Sequence, residues 1–158
     1  MKKILIALDF DPAAEKIAET GYELAKSMSA EVILLHVTAE AFYYSSQNYS
    51  PIMGFDGFSN LSVAQPLNFE ALNQAARDYL EKSKQHLGDD TIQTVVKEGE
   101  FSESILETAK EMNVDIIVMG SHGRHGLDKV LLGSVAEQVL HKTDIPLFII
   151  PTKKFEDK

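Results

Sequence analysis

Gly120 and Gly123 stand three residues apart directly after an apolar run, and Gly133-Ser134 follows ten residues later at the start of a helical pattern. Such a set suits anion binding. Glycine lets backbone amides approach phosphate oxygens without a Cβ in the way, and it permits dihedral angles closed to other residues. A helix start adds free amides and a partial positive charge, and Ser134 adds a hydroxyl donor. The pattern is neither the GxGxxG dinucleotide fingerprint nor a Walker A loop, because no Gly-Lys-Ser/Thr occurs. The competing reading is that these glycines only make tight turns and a helix start. Arg124 and Lys129 are candidates for phosphate charge neutralisation, or else exposed loop residues.

Asp9 closes the first apolar run, Ile4-Leu5-Ile6-Ala7-Leu8. Asp9-Phe10-Asp11-Pro12 is similar to the first motif of haloacid-dehalogenase-type phosphatases, in which one Asp is the nucleophile and the next an acid/base. The later motifs of that chemistry are missing: the fourth apolar run ends in Gly120-Ser121-His122-Gly123 with no Asp pair, and Asp89-Asp90 precedes a strand. A structural alternative has Asp9 satisfying loop amides and Asp11 capping a helix. His122 and His125 invite a metal or acid–base role, but no nearby carboxylate or third ligand after a strand supports it. His36, inside an apolar run, reads as a hydrogen-bonded core histidine.

The elements that must position these residues alternate. Ile4–Leu8, Val32–Val37, Val114–Met119 and Pro146–Ile150 read as strands buried on both faces, and Thr91–Lys97 as an alternating sheet-edge strand. Between them run four helical patterns. The first starts at Asp11-Pro12 and carries Ile17, Gly21, Leu24 and Met28. The second carries Leu72, Ala76, Tyr79, Leu80 and Leu87. The third, capped by Ser102, carries Ile105, Leu106, Ala109 and Met112. The fourth, from Gly133-Ser134, carries Val135, Ala136, Val139 and Leu140. Five strands and four helices in this order predict an open, doubly wound α/β sheet with helices on both faces. Ligands of such sheets bind beyond the carboxyl ends of the strands, where strand order reverses.

Composition bounds the rest. The 158 residues, 44% hydrophobic and 25% charged, suit one globular domain, here expected over residues 1–152 with a loose tail at 153–158. A net charge of −9 argues against a nucleic-acid or anionic-lipid surface. The acidic excess is local: residues 1–119 hold nine basic and 19 acidic residues, whereas residues 120–158 hold six and five. With no cysteine, disulfides, zinc–thiolate centres and thiol nucleophiles are excluded. The apolar start ends at Asp9, too early for a signal peptide, and no run reaches the ~20 apolar residues of a membrane span. A cytoplasmic protein is expected. Residues 38–67 form a long connection holding six of the 13 aromatic residues, among them Phe42, Tyr43 and Tyr49. That connection folds on its own aromatics, lids the site, or meets a partner.

Gly-x2-Gly-x9-Gly-Ser, placed as Gly120, Gly123, Gly133 and Ser134, resembles the ATP-binding signature of the universal stress protein family. The resemblance extends through Asp9 at the end of the first strand, Ile33-Leu34-Leu35-His36-Val37, Gly99 before the third helix, and Asp144-Ile145-Pro146-Leu147-Phe148-Ile149-Ile150. It implies a Rossmann-like, adenine nucleotide alpha hydrolase-like fold with strand order 3-2-1-4-5 and the ligand between strands 1 and 4. Backbone groups near Val37 and the Asp9 side chain would then meet adenine and ribose, with Ala7 and Leu8 as the floor. Gly120, Ser121, Gly123, Arg124, Gly133, Ser134 and Val135 would surround ribose and phosphates, with Met119 alongside. ATP, or ADP or AMP, would carry Mg²⁺ or Mn²⁺ on its phosphates. The implied protein is a nucleotide-dependent regulator acting as a homodimer through residues 146–151, with a regulatory partner and slow or no hydrolysis. No Walker lysine or evident water-positioning base is present. A slow ATPase on the same site, and an interaction module working through the aromatic connection, are the alternatives.

Overall fold

A computed structural model describes residues 1–10, 12–38, 69–121 and 132–152. Five strands, β1 (Lys3–Ala7), β2 (Glu31–Thr38), β3 (Gln93–Glu98), β4 (Ile116–Gly120) and β5 (Leu147–Ile150), alternate with four helices among these residues. The helices are α1 (Ala14–Ser27), α2 (Phe69–Leu87), α3 (Phe101–Glu111) and α4 (Ser134–Lys142). The strands form one sheet in the order β3-β2-β1-β4-β5, and all four neighbouring pairs are parallel. The expected architecture and strand order are therefore present. Thr38 belongs to β2, and the rest of the aromatic connection and the tail lie outside the described residues.

Strands apolar on both faces need a helical layer on each side. Alternate residues of β1 face opposite ways: Ile4 and Ile6 pack with α1 and α2, whereas Leu5 packs with α3 and α4. Each fully buried aliphatic side chain contributes about 1.5–3 kcal/mol, so these two layers fix which helices lie on which face. Gly21 permits α1 to sit close. A Cβ there would lie 2.7 Å from Ile6 Cδ1 and 3.2 Å from Val118 Cγ1, so the glycine lets the helix rest on β1 and β4 together. Away from that contact, His86 Nε2 of α2 meets Glu15 and Glu19 of α1 at 3.3 and 3.6 Å.

Four expectations are corrected. Helix α1 begins at Ala14, with Ala13 as its N-cap and no side-chain cap bond; Pro12 lies in the preceding turn and Asp11 is outside the described residues. Ser102 does not cap α3. Gly99, at φ +148°, turns the chain so that Glu100 takes the extended cap conformation and its carboxylate accepts the Glu103 amide at 2.7 Å. Ser102, one residue inside the helix, is buried, with its hydroxyl oxygen 2.9 Å from both Glu100 and Gln138 side-chain oxygens. Leu140 is exposed rather than on the packed face of α4. Finally, β3 is an edge strand as expected, yet both its faces are covered: Val95 packs toward α3 and α4, Val96 toward α1 and α2.

Candidate functional site

All five strands end at one edge of the sheet, and the helices change face between β1 and β4. The crevice beyond those two strands is where this architecture takes ligands. On its β1 side the ladder with β2 closes at Ala7↔Leu35, and the Leu8 amide still donates to Leu35 O at 2.8 Å. The next two carbonyls are held by side chains. His36 Nδ1 is 2.8 Å from Leu8 O, and the Tyr79 hydroxyl donates to Asp9 O at 2.7 Å. A carbonyl only accepts, so His36 Nδ1 carries a proton. Phe10 completes the turn, its ring centroid 4.3 Å from that of His36 and 4.9 Å from that of Tyr79.

This packing divides the predicted residues of the β1–β2 side by role. Ala7 is half-buried, Leu8 and Val37 are buried, and only the Asp9 side chain faces solvent. Val37 gives its side chain to the core under α3 and α4. What it can offer a ligand is therefore backbone. Beside it, buried Thr38 shares its hydroxyl between Asn73 Oδ1 at 3.1 Å and Lys97 O at 3.2 Å, and its carbonyl accepts the Gly99 amide.

The β4 side is built differently. Met119 is buried in the core, and Gly120 pairs with Ile150. The Ser121 amide donates to Ile150 O at 2.9 Å, and the Ser121 hydroxyl oxygen accepts the Thr152 amide at 3.1 Å. The Gly133 amide donates to Ser121 O at 2.6 Å, which brings the start of α4 back to the end of β4. Gly133 is the N-cap of α4 and makes no side-chain cap bond. Ser134 is exposed at the first helical position, and Val135 is half-buried. Gly123 and Arg124, with His122, His125 and Lys129, lie outside the described residues.

Glu100 adds a negative charge at the end of β3. Partial burial pushes its carboxyl upward, but the Glu103 amide, Ser102 and Lys142 outweigh that and hold it below the usual range. Sequence reasoning left Tyr79 on an apolar helix face and missed Thr38 and Thr152. The partners of all three are 31 or more residues away, and Tyr79 also follows the helical spacing of an apolar stripe. His36 is a hydrogen-bonded core histidine, as expected.

The fold is that of an open, doubly wound parallel α/β protein whose helices change face between β1 and β4. The universal stress protein family model matches residues 1–151. The chain belongs to the universal stress protein family. Universal stress protein MJ0577 of Methanocaldococcus jannaschii is 36% identical over 157 residues, covering 96% of each chain. A solved structure of MJ0577 superposes with a TM-score of 0.72 at 31% identity, again covering 96% of each chain. A universal stress protein solved in complex with cAMP shares the fold at a TM-score of 0.61 and 18% identity, over 94% of this chain and 96% of that one. No helix among the described residues is long and apolar enough to cross a membrane.

Proposed function

We propose that the protein is an ATP-binding universal stress protein whose nucleotide occupies the crevice between β1 and β4. The observation that carries this is the backbone at Gly133. Its φ of −66° and ψ of 160° suit any residue, so the turn itself does not call for glycine. A group that comes close to the start of α4, as phosphate does, would account for the missing side chain. Gly120 agrees: the positive-φ glycines among the described residues are Gly88 and Gly99. The cAMP complex of a fold relative supports an adenine nucleotide as the occupant.

In this reading Asp9 and the Val37 backbone hold adenosine over Ala7 and Leu8. Met119 and Gly120 line the crevice, and Ser121, Gly123, Arg124, Gly133, Ser134 and Val135 frame the phosphates. On the β4 side the Ser121 and Gly133 amides are taken within the protein, which leaves the first-turn amides of α4 and the Ser134 hydroxyl to meet phosphate. Mg²⁺ or Mn²⁺ would neutralise phosphate charge, held mainly by the phosphates themselves. Occupancy would set conformation and partner choice for a regulatory protein, in a single domain spanning residues 1–152. A second copy would pair along residues 146–151, because β5 is an edge strand carrying Phe148, which is 40% exposed.

The test is the nucleotide released from protein purified without added ligand, followed by titration of the stripped protein with ATP, ADP, AMP and cAMP. Asp9→Ala should weaken ATP binding about tenfold or more, since hydrogen bonds to charged groups contribute about 1.5–3 kcal/mol. Stripped protein that binds none of the four nucleotides would remove the reading.

A further inference from the structure

We infer that His36 and Tyr79 are positioning residues for the nucleotide site: they hold the turn that presents Asp9 and tie it to α2. The inference rests on the adenine-nucleotide reading above. Sheet pairing ends with the Leu8 amide on Leu35 O, which leaves the Leu8 carbonyl and Asp9 beyond the ladder. There Leu8 O is taken by His36 from β2, Asp9 O by Tyr79 from α2, and Phe10 is packed against both rings. Three consecutive residues are thus held by side chains of two other elements.

These contacts orient more than they fill. Both hydrogen bonds end on main-chain carbonyls on either side of the Asp9 Cα, so they set the two peptide planes that aim its side chain. The Asp9 carbonyl sits in an exposed region, where water could replace the phenol. Exchange with water leaves such a bond a small net share of stability. Its effect on the direction of Asp9 is direct, because a site loses affinity when its groups must be ordered on binding. His36 is 4% exposed and cannot swing aside, which keeps Phe10 and Tyr79 in register with Leu8. A displacement of α2 would be felt at Asp9 through the Tyr79 hydroxyl. By linkage, a nucleotide that fixes Asp9 would also hold α2.

Calorimetric titration of adenosine and ATP into wild type and Tyr79→Phe tests this. The substitution keeps the ring and removes one hydroxyl. About tenfold weaker binding is expected for adenosine and ATP alike, with their ratio unchanged, since Asp9 serves the adenosine half. In an Asp9→Ala background the same substitution should change affinity less than about twofold, because the two act as one unit. Wild-type affinity in folded Tyr79→Phe overturns the inference, and so does an undiminished loss in the Asp9→Ala background. A third arm needs no substitution: adenosine should slow amide hydrogen exchange in α2 of the wild type, and unchanged exchange there overturns the link. If wild type binds neither adenosine nor ATP, the nucleotide reading itself has failed, an outcome distinct from the others.

Discussion

The two sides of the crevice are held by different means. At the end of β1, the chain is fixed by side chains 28 and 70 positions away in sequence, reaching main-chain carbonyls. At the end of β4, the contacts run mainly through the main chain, Ser121 to Ile150 and Gly133 to Ser121, with the Ser121 hydroxyl on Thr152 as the side-chain link. The first arrangement aims one carboxylate. The second leaves amides near the start of a helix and keeps side chains out. Deleting a single polar atom should therefore injure the β1 side, whereas the β4 side should be injured by adding atoms.

Gly133→Val is the largest expected break in that contrast. Its dihedral angles are open to valine, so the fold should persist, with a melting temperature within a few degrees of wild type. The new side chain would occupy the approach to the start of α4. ATP affinity should fall on the order of 100-fold, about 2.7 kcal/mol, while adenosine affinity moves little. Parallel titrations of ATP and adenosine check this, and equal losses for both ligands would place the glycine outside the phosphate half. Ser121→Ala is a smaller change of the opposite kind. It removes the hydroxyl that accepts the buried Thr152 amide, which should destabilise by about 1 kcal/mol. For a chain of this size that is roughly 2–4 °C in melting temperature. ATP affinity should stay within about threefold, since the Ser121 hydroxyl is engaged by Thr152 and what Ser121 lends the phosphate frame is its main chain.

This contrast also explains what could be read from the sequence. Gly120, Ser121, Gly133 and Ser134 lie close together along the chain, and their spacing is a local pattern. Runs apolar on both faces announced the parallel strands for the same reason: burial repeats from one residue to the next. The β1 side carries no such signal. Asp9 was visible as the residue after a strand, but nothing near it in sequence says that residues 36 and 79 orient it. Tyr79 falls at the helical spacing of an apolar stripe, Leu72, Ala76 and Leu80, and only the fold shows that its hydroxyl leaves that stripe for Asp9. The cap of α3 went to Glu100 rather than Ser102 because Gly99 sets the turn two residues earlier than composition suggests.

The smallest effect tests whether the crevice is insulated from the rest of the molecule. Beyond the far end of α2, the Tyr22 hydroxyl donates to Asp89 Oδ2 at 2.9 Å, and Asp89 Oδ1 accepts the Thr91 hydroxyl at 2.6 Å. The Thr91 hydroxyl and amide, with Tyr22, hold the Asp89 carboxyl below its usual range. Donation to Asp89 in turn pushes the Tyr22 phenol up. A lowered carboxyl contributes stability that is present above the unfolded value of about 3.9 and lost as pH falls through the folded one. A raised phenol contributes stability that is present below about 10 and lost as pH rises through its folded value. Urea midpoints measured across pH should thus fall at both extremes. In Tyr22→Phe the alkaline fall should shrink relative to wild type, and the acid fall should shrink less, because both Thr91 bonds remain. ATP affinity near neutral pH should be unchanged in that variant. A loss there would mean that strain in the α1–α2 layer reaches Asp9, and the two sides of the crevice would then differ in what they transmit as well as in how they are held.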